Sequence, residues 1–219
     1  MERLLFKPKK IDVPANLVLI PQFWDTGYFQ HLKDKANGTL ELLKSDLLLF
    51  DNYTVIVGFL GYPNILTILE FIEDIKQKEV YFLGTAGSMN EDIDEPMALN
   101  VEAIYSTALL SYFSEWKSFK MKSFDSANLR KAKGVTVDIV QRETPSWLKE
   151  QVHLGMEFVE MEIFPLRAYM EKPFHSIVVT TDILRESGVE VFPDKRKLKE
   201  EFVKSYELIV ETISKTGGV

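Results

Sequence analysis

Strand-like apolar runs alternating with helix-patterned stretches predict a single layered α/β domain across residues 1–219. Two runs sharpen that prediction. Val159-Glu160-Met161-Glu162 and Val178-Val179-Thr180-Thr181-Asp182 each end in carboxylates where a helix pattern is expected to begin. Ligand crevices form at the carboxyl ends of strands in α/β sheets, so these acidic side chains are expected to share one site. With 219 residues, 46% of them hydrophobic, the chain can bury a sizeable core.

In chain order, residues 16–20 (NLVLI) read as a buried strand closed by Pro21. Residues 47–50 and 54–59 are two further strands separated by Asp51-Asn52. Asn64 is expected to cap a helix running to about residue 78, with Ile65, Ile68, Leu69 and Ile72 on one face. Val80 to Leu83 form a strand running into a Gly84-Thr85-Ala86-Gly87 turn. Residues 98–119 fit either a strand start or a helix. The alternation of Val135, Val137 and Ile139 predicts a strand over 134–140. Pro145 after Thr144 predicts a helix start. A strand over 158–161 leads into a helix holding Pro165 in its first turn. The last strand covers 175–181, and Leu198, Phe202, Tyr206, Ile209 and Ile213 stripe a terminal helix over 195–215.

Composition removes several function classes. A net charge of −7 argues against a general nucleic-acid surface, and no cysteine means no disulfide, thiolate metal site or cysteine nucleophile. Three scattered histidines lack metal-ligand spacing. The apolar runs are far shorter than a membrane span, and residues 1–8 lack the apolar core of a signal peptide, so a cytoplasmic location is expected.

Several residues could carry chemistry. Gly84 and Gly87 would let a ligand approach the backbone, with the Thr85 hydroxyl as a polar contact, although a plain tight turn uses the same residues. Strand alternation would put Glu160 and Glu162 on one face, where a buried pair would need hydrogen-bond donors, or at a solvated sheet edge. Asp182 reads as a buried acid or as the cap of a following short helix, and Asp138 as a site acid or a strand-end cap.

Together these segments resemble the nucleoside phosphorylase and nucleosidase superfamily. Val159-Glu160-Met161-Glu162-Ile163 resembles the family motif VEMEA, Gly84-Thr85-Ala86-Gly87 its glycine turn, and Thr181-Asp182 its Ser-Asp pair. The resemblance implies a three-layer α/β/α fold with a mixed central sheet and cleavage of the bond between ribose and a base. It implies that Glu162, with Glu160 and Met161, holds the ribose. Gly84, Thr85 and Gly87 would contact phosphate or the nucleophilic water, and Asp182 would protonate a purine. Residues 136–144 resemble the base-side segment, which implies base contacts from Val140, Gln141 and Arg142, and the Ser-Asp match adds Thr181; Val140 stands where the family has a stacking aromatic. Phe82 replaces an arginine of many phosphorylases, and their Gly-Asp-x-x-Arg motif is absent. Asp25 falls where nucleosidases carry the glutamate that activates water. Hydrolysis is therefore expected over phosphorolysis, with phosphorolysis, or nucleoside binding without turnover, as the alternatives. A nucleoside, with or without phosphate, is the expected ligand. No cofactor or metal is implied, and a homo-oligomer is expected.

Overall fold

The computed structural model describes residues 9–21, 26–59, 61–106, 118–138 and 143–216. Its strands are β1 (Asn16–Pro21), β2 (Gly38–Leu42), β3 (Ser45–Leu49), β4 (Tyr53–Phe59), β5 (Glu79–Ser88), β6 (Ala98–Ser106), β7 (Ser118–Lys120), β8 (Arg130–Thr136), β9 (Phe158–Glu160), β10 (His175–Arg185) and β11 (Gly188–Val191). The α-helices among the described residues are α1 (Thr26–Lys35), α2 (Tyr62–Leu69), α3 (Pro145–His153), α4 (Ile163–Met170) and α5 (Lys195–Thr216).

All eleven strands join one mixed sheet in the order β11-β10-β6-β8-β9-β5-β1-β4-β3-β2, with β7 on β6. A further pairing of β10 with β5 closes β10, β6, β8, β9 and β5 into a ring. β5 is the hub: it runs parallel to β1 and β10 and antiparallel to β9.

Strands buried on both faces read as continuous apolar runs, and β1 is one. Leu17, Leu19, Val80 and Phe82 pack with Ile65, Ile68 and Leu69 of α2 and Ile163 and Phe164 of α4. Their neighbours Val18, Ile20, Tyr81 and Leu83 pack instead with Tyr28 and Leu32 of α1 and with α5. Helices thus cover both faces around β1 and β5. The predicted stripe of α5 is buried throughout, and each such side chain contributes about 1.5–3 kcal/mol.

Several boundaries differ from expectation. The helix expected from Asn64 to about 78 starts at Tyr62 and ends at Leu69. Ile72, expected on that helix, pairs with Ile11 as an isolated β-bridge, which draws the chain out of the helix. β5 does not turn at Gly84 but continues through Ser88, held by β10 and β9. β8 begins at Arg130 and ends at Thr136; of the strand expected over 134–140, positions 139 and 140 lie outside the described residues. The first part of the ambiguous 98–119 stretch is β6, while 107–117 lie outside the described residues. β10 runs past 181 to Arg185 and pairs with β11, which the sequence reading missed. β11 is exposed along its length, so it carries no burial pattern.

Candidate active site

The β9–α4 corner holds two buried carboxyl groups. β9 ends at Glu160, so Glu162 does not reach the site by strand alternation as expected; it is the N-cap residue of α4. The Glu160 carboxylate accepts the backbone N–H groups of Glu162 at 2.6 Å and Ile163 at 2.7 Å, and the Thr136 hydroxyl. Thr136 in turn accepts the Phe164 N–H at 3.1 Å. Glu160 therefore satisfies the free amides that open α4 and ties the helix to β8. Glu162 is 7% exposed and accepts the Gly61 N–H at 3.0 Å. Burial pushes both carboxyls above their ordinary range, with the charge of Glu162 adding to the effect on Glu160. The amides of Gly61 and Met161 pull Glu162 back toward its ionised form. Met161 is half-buried against the cluster of Val135, Val137, Val159 and Leu184.

The second half of the site lies where β5 meets β10. Gly84 and Gly87 sit within the strand, not in a turn, and neither has a positive φ. What they supply is room. A Cβ on Gly84 would lie 2.5 Å from the Phe82 ring, and one on Gly87 would lie 2.5 Å from Leu184 Cδ1 and 2.9 Å from Asp182 Oδ2. A bulge at Thr181 shifts the register, so Thr180 pairs with Ala86 and Asp182 with Gly87. The Thr181 hydroxyl donates to Asp182 Oδ1 at 2.5 Å. Burial raises the Asp182 carboxyl, against the pull of that hydrogen bond. Burial, then the charge of Asp182, pushes Glu143 up to about 7. The helix-cap reading of Asp182 fails, because β10 continues past it and no helix follows directly.

The structure thus brings Gly84, Thr85, Gly87, Thr181 and Asp182 to one end of the β5–β10 pair. Register places Val159, at the head of the Glu160-Met161-Glu162 corner, directly against Gly87. Asp138 is half-buried just beyond β8. Asp25, Val140, Gln141 and Arg142 lie outside the described residues. Phe82 is 1% exposed in the core beside Gly84. An open cavity of about 740 Å³ lies elsewhere, between α3 and the β10–β11 hairpin; Leu184 lines it, but Thr85, Glu162 and Asp182 do not.

No protein-family model and no curated protein matches the chain in sequence. Solved structures do match in fold. A purine nucleoside phosphorylase from Toxoplasma gondii in complex with immucillin-H is 16% identical, with 99% of this chain and 98% of that chain covered at a TM-score of 0.70. Uridine phosphorylase from Vibrio fischeri is 12% identical, covering 96% and 99% at a TM-score of 0.72. MTAN from Chlamydia trachomatis bound to MTA is 16% identical, covering 90% and 94% at 0.55. The fold is that of the nucleoside phosphorylases and nucleosidases.

Within that phosphorylase-nucleosidase fold, three residues gain a place that the sequence reading did not assign. Glu143 neighbours Asp182, Thr136 anchors Glu160, and Gly61 reaches Glu162. Gly61 left a readable trace, a glycine two residues before Pro63 after a strand, the pattern of a helix start. Thr136 and Glu143 lay inside the base-side segment and had no distinguishing spacing.

Proposed function

We propose that this chain cleaves the N-glycosidic bond of a purine-type nucleoside, with water as acceptor in preference to phosphate. The observation that carries the reading is Asp182, a buried carboxyl with a raised pKa seated against Gly87 on the strand pair that leads to the Glu162 corner. A carboxyl of this kind stays protonated long enough to act as a general acid.

In this mechanism Glu162 accepts hydrogen bonds from the ribose hydroxyls and Met161 packs on the sugar. Glu160 acts behind Glu162, since its own acceptors are taken by Thr136 and the α4 amides. Gln141, Arg142 and Thr181 contact the base, with Val140 as an apolar wall. As the bond from C1′ to the base breaks, the sugar develops oxocarbenium character. Asp182 gives its proton to N7 of the departing purine. Water, placed by Thr85 beside Gly84 and Gly87, bonds to C1′ and passes a proton to Asp25. The products are ribose and free base. Phe82 supports water as acceptor: it is packed in the core, and a phosphate dianion without cationic ligands binds poorly. The same reading carries a homo-oligomer in the cytoplasm, arranged as one three-layer domain. Among the described residues, no helix is long and apolar enough to cross a membrane.

The test is base release from adenosine, inosine, methylthioadenosine and uridine, with and without phosphate. Release of purine in phosphate-free buffer is expected, with free ribose as co-product. A strict phosphate requirement yielding ribose 1-phosphate overturns the choice of acceptor, and tight binding without release overturns catalysis.

A further inference from the structure

We infer that the backbone amide of Gly61 is a positioning donor for the sugar-binding carboxylate of Glu162, so the β4–α2 junction sets how tightly the ribose hydroxyls are read. This inference rests on the ribose-binding role proposed for Glu162.

The contact joins residues 101 positions apart at 3.0 Å. It lies where two helices begin. Gly61 is the N-cap residue of α2 and has no side chain to cap that helix, and Glu162 is the N-cap residue of α4. The carboxylate of Glu162 thus supplies α2 with an acceptor from a distant part of the chain, and the positive ends of the two helix dipoles favour its charged form. Glu160 holds the backbone N–H of the same residue. Glu162 is gripped at its main chain and at its carboxylate, which is how a binding group is preorganised.

The identity of residue 61 follows from its backbone. Gly61 has φ 70° and ψ 160°, a region that only glycine occupies without strain. A Cβ there would meet nothing closer than Pro63 Cδ at 3.6 Å. Space is therefore not the constraint; direction of the amide is. Gly61→Ala must leave this region, which turns the N–H away from Glu162 without crowding the core.

The experiment is run on the Asp182→Asn background, where cleavage is slowed and affinity kept, and compares dissociation constants of adenosine and 2′-deoxyadenosine for that parent and for Gly61→Ala, Glu162→Ala and the double variant made on it. The parent is expected to prefer the ribonucleoside by roughly tenfold or more, the effect of one charge-assisted hydrogen bond. Gly61→Ala should bring that ratio close to one, and should change it no further when Glu162 is already alanine. A full preference retained in Gly61→Ala overturns the positioning role and leaves the function reading intact. A parent that binds neither nucleoside overturns both. Hydrogen exchange at the Gly61 amide of the same parent gives a second measurement that needs no substitution at Gly61 or Glu162. Protection should persist when adenosine is bound; faster exchange on binding would make the contact a latch displaced by the sugar, and would overturn the inference.

Discussion

The β9–α4 corner and the β10 bulge both carry buried carboxyl groups raised by burial, yet they surround them with different numbers of hydrogen-bond donors. At the corner, donors surround the carboxylates: Glu160 has three and Glu162 has the Gly61 amide. At the bulge, Asp182 has the hydroxyl of its own neighbour Thr181, and Glu143 adds a second carboxyl nearby. Burial raises the carboxyls in both places, and Glu160 also feels the charge of Glu162, but at the corner more hydrogen bonds pull back toward the anion than at the bulge. The same upward push from burial therefore meets more opposition at the corner than at the bulge. The difference lies in how many backbone N–H groups each place offers, since each also has one threonine hydroxyl.

The largest effect that would break this comparison is expected at the bulge. Asp182→Asn keeps shape and hydrogen bonding but cannot deliver a proton. Turnover of natural purine nucleosides should fall by about 10²–10⁴-fold, with ligand affinity largely kept. A nitrophenyl riboside, whose leaving group needs no proton, should lose far less. Equal loss on both substrates would remove Asp182 from the acid role.

At the corner the next effect should appear in stability. Glu160→Ala strands the Glu162 and Ile163 amides and the Thr136 hydroxyl in a buried setting, at a cost of about 3 kcal/mol. A chain of this size should then melt roughly 6–12 °C lower. Glu162→Gln keeps a carbonyl for Gly61 and should melt near the parent, but lose about 1.5–3 kcal/mol of ribonucleoside affinity. If the two substitutions exchange effects, the division between a structural and a binding carboxyl is wrong.

How much of this was legible in the sequence depended on distance along the chain. The Glu160-Met161-Glu162 and Thr181-Asp182 segments were readable because acidic residues closing apolar runs are unusual. The exact strand ends were not. β10 extends past Asp182 because β11 pairs with it, and Gly188, Val189, Glu190 and Val191 are all exposed, so no alternation marks them. The glycines at 84 and 87 read as a turn because glycine has two uses, and only the packed Phe82 ring and the Asp182 carboxyl show that close approach is the one employed. The partner of Glu162 was invisible, since nothing local links Gly61 to a residue 101 positions away.

The smallest effect concerns Glu143. Its carboxyl is held near 7 by burial and by Asp182, so its folded pKa lies above the ordinary carboxylate range. A group shifted in that direction lends its full stability at acid pH, below the ordinary range, and loses it as pH rises through about 7. Glu143→Gln removes that loss, so stability should fall less steeply than in the parent between about pH 5 and 7. The upward push on Asp182 comes from burial, opposed by the Thr181 hydroxyl, so the same substitution should leave that push in place. The alkaline limb of the rate profile should then stay where the parent has it, and the rate on the acid plateau should stay close to that of the parent. Melting curves and turnover measured across pH 5–9 check both consequences. A limb that moves toward lower pH would mean that Glu143 also holds the proton on Asp182. A like charge would then join burial in raising the acid at the bulge, as Glu162 does for Glu160 at the corner.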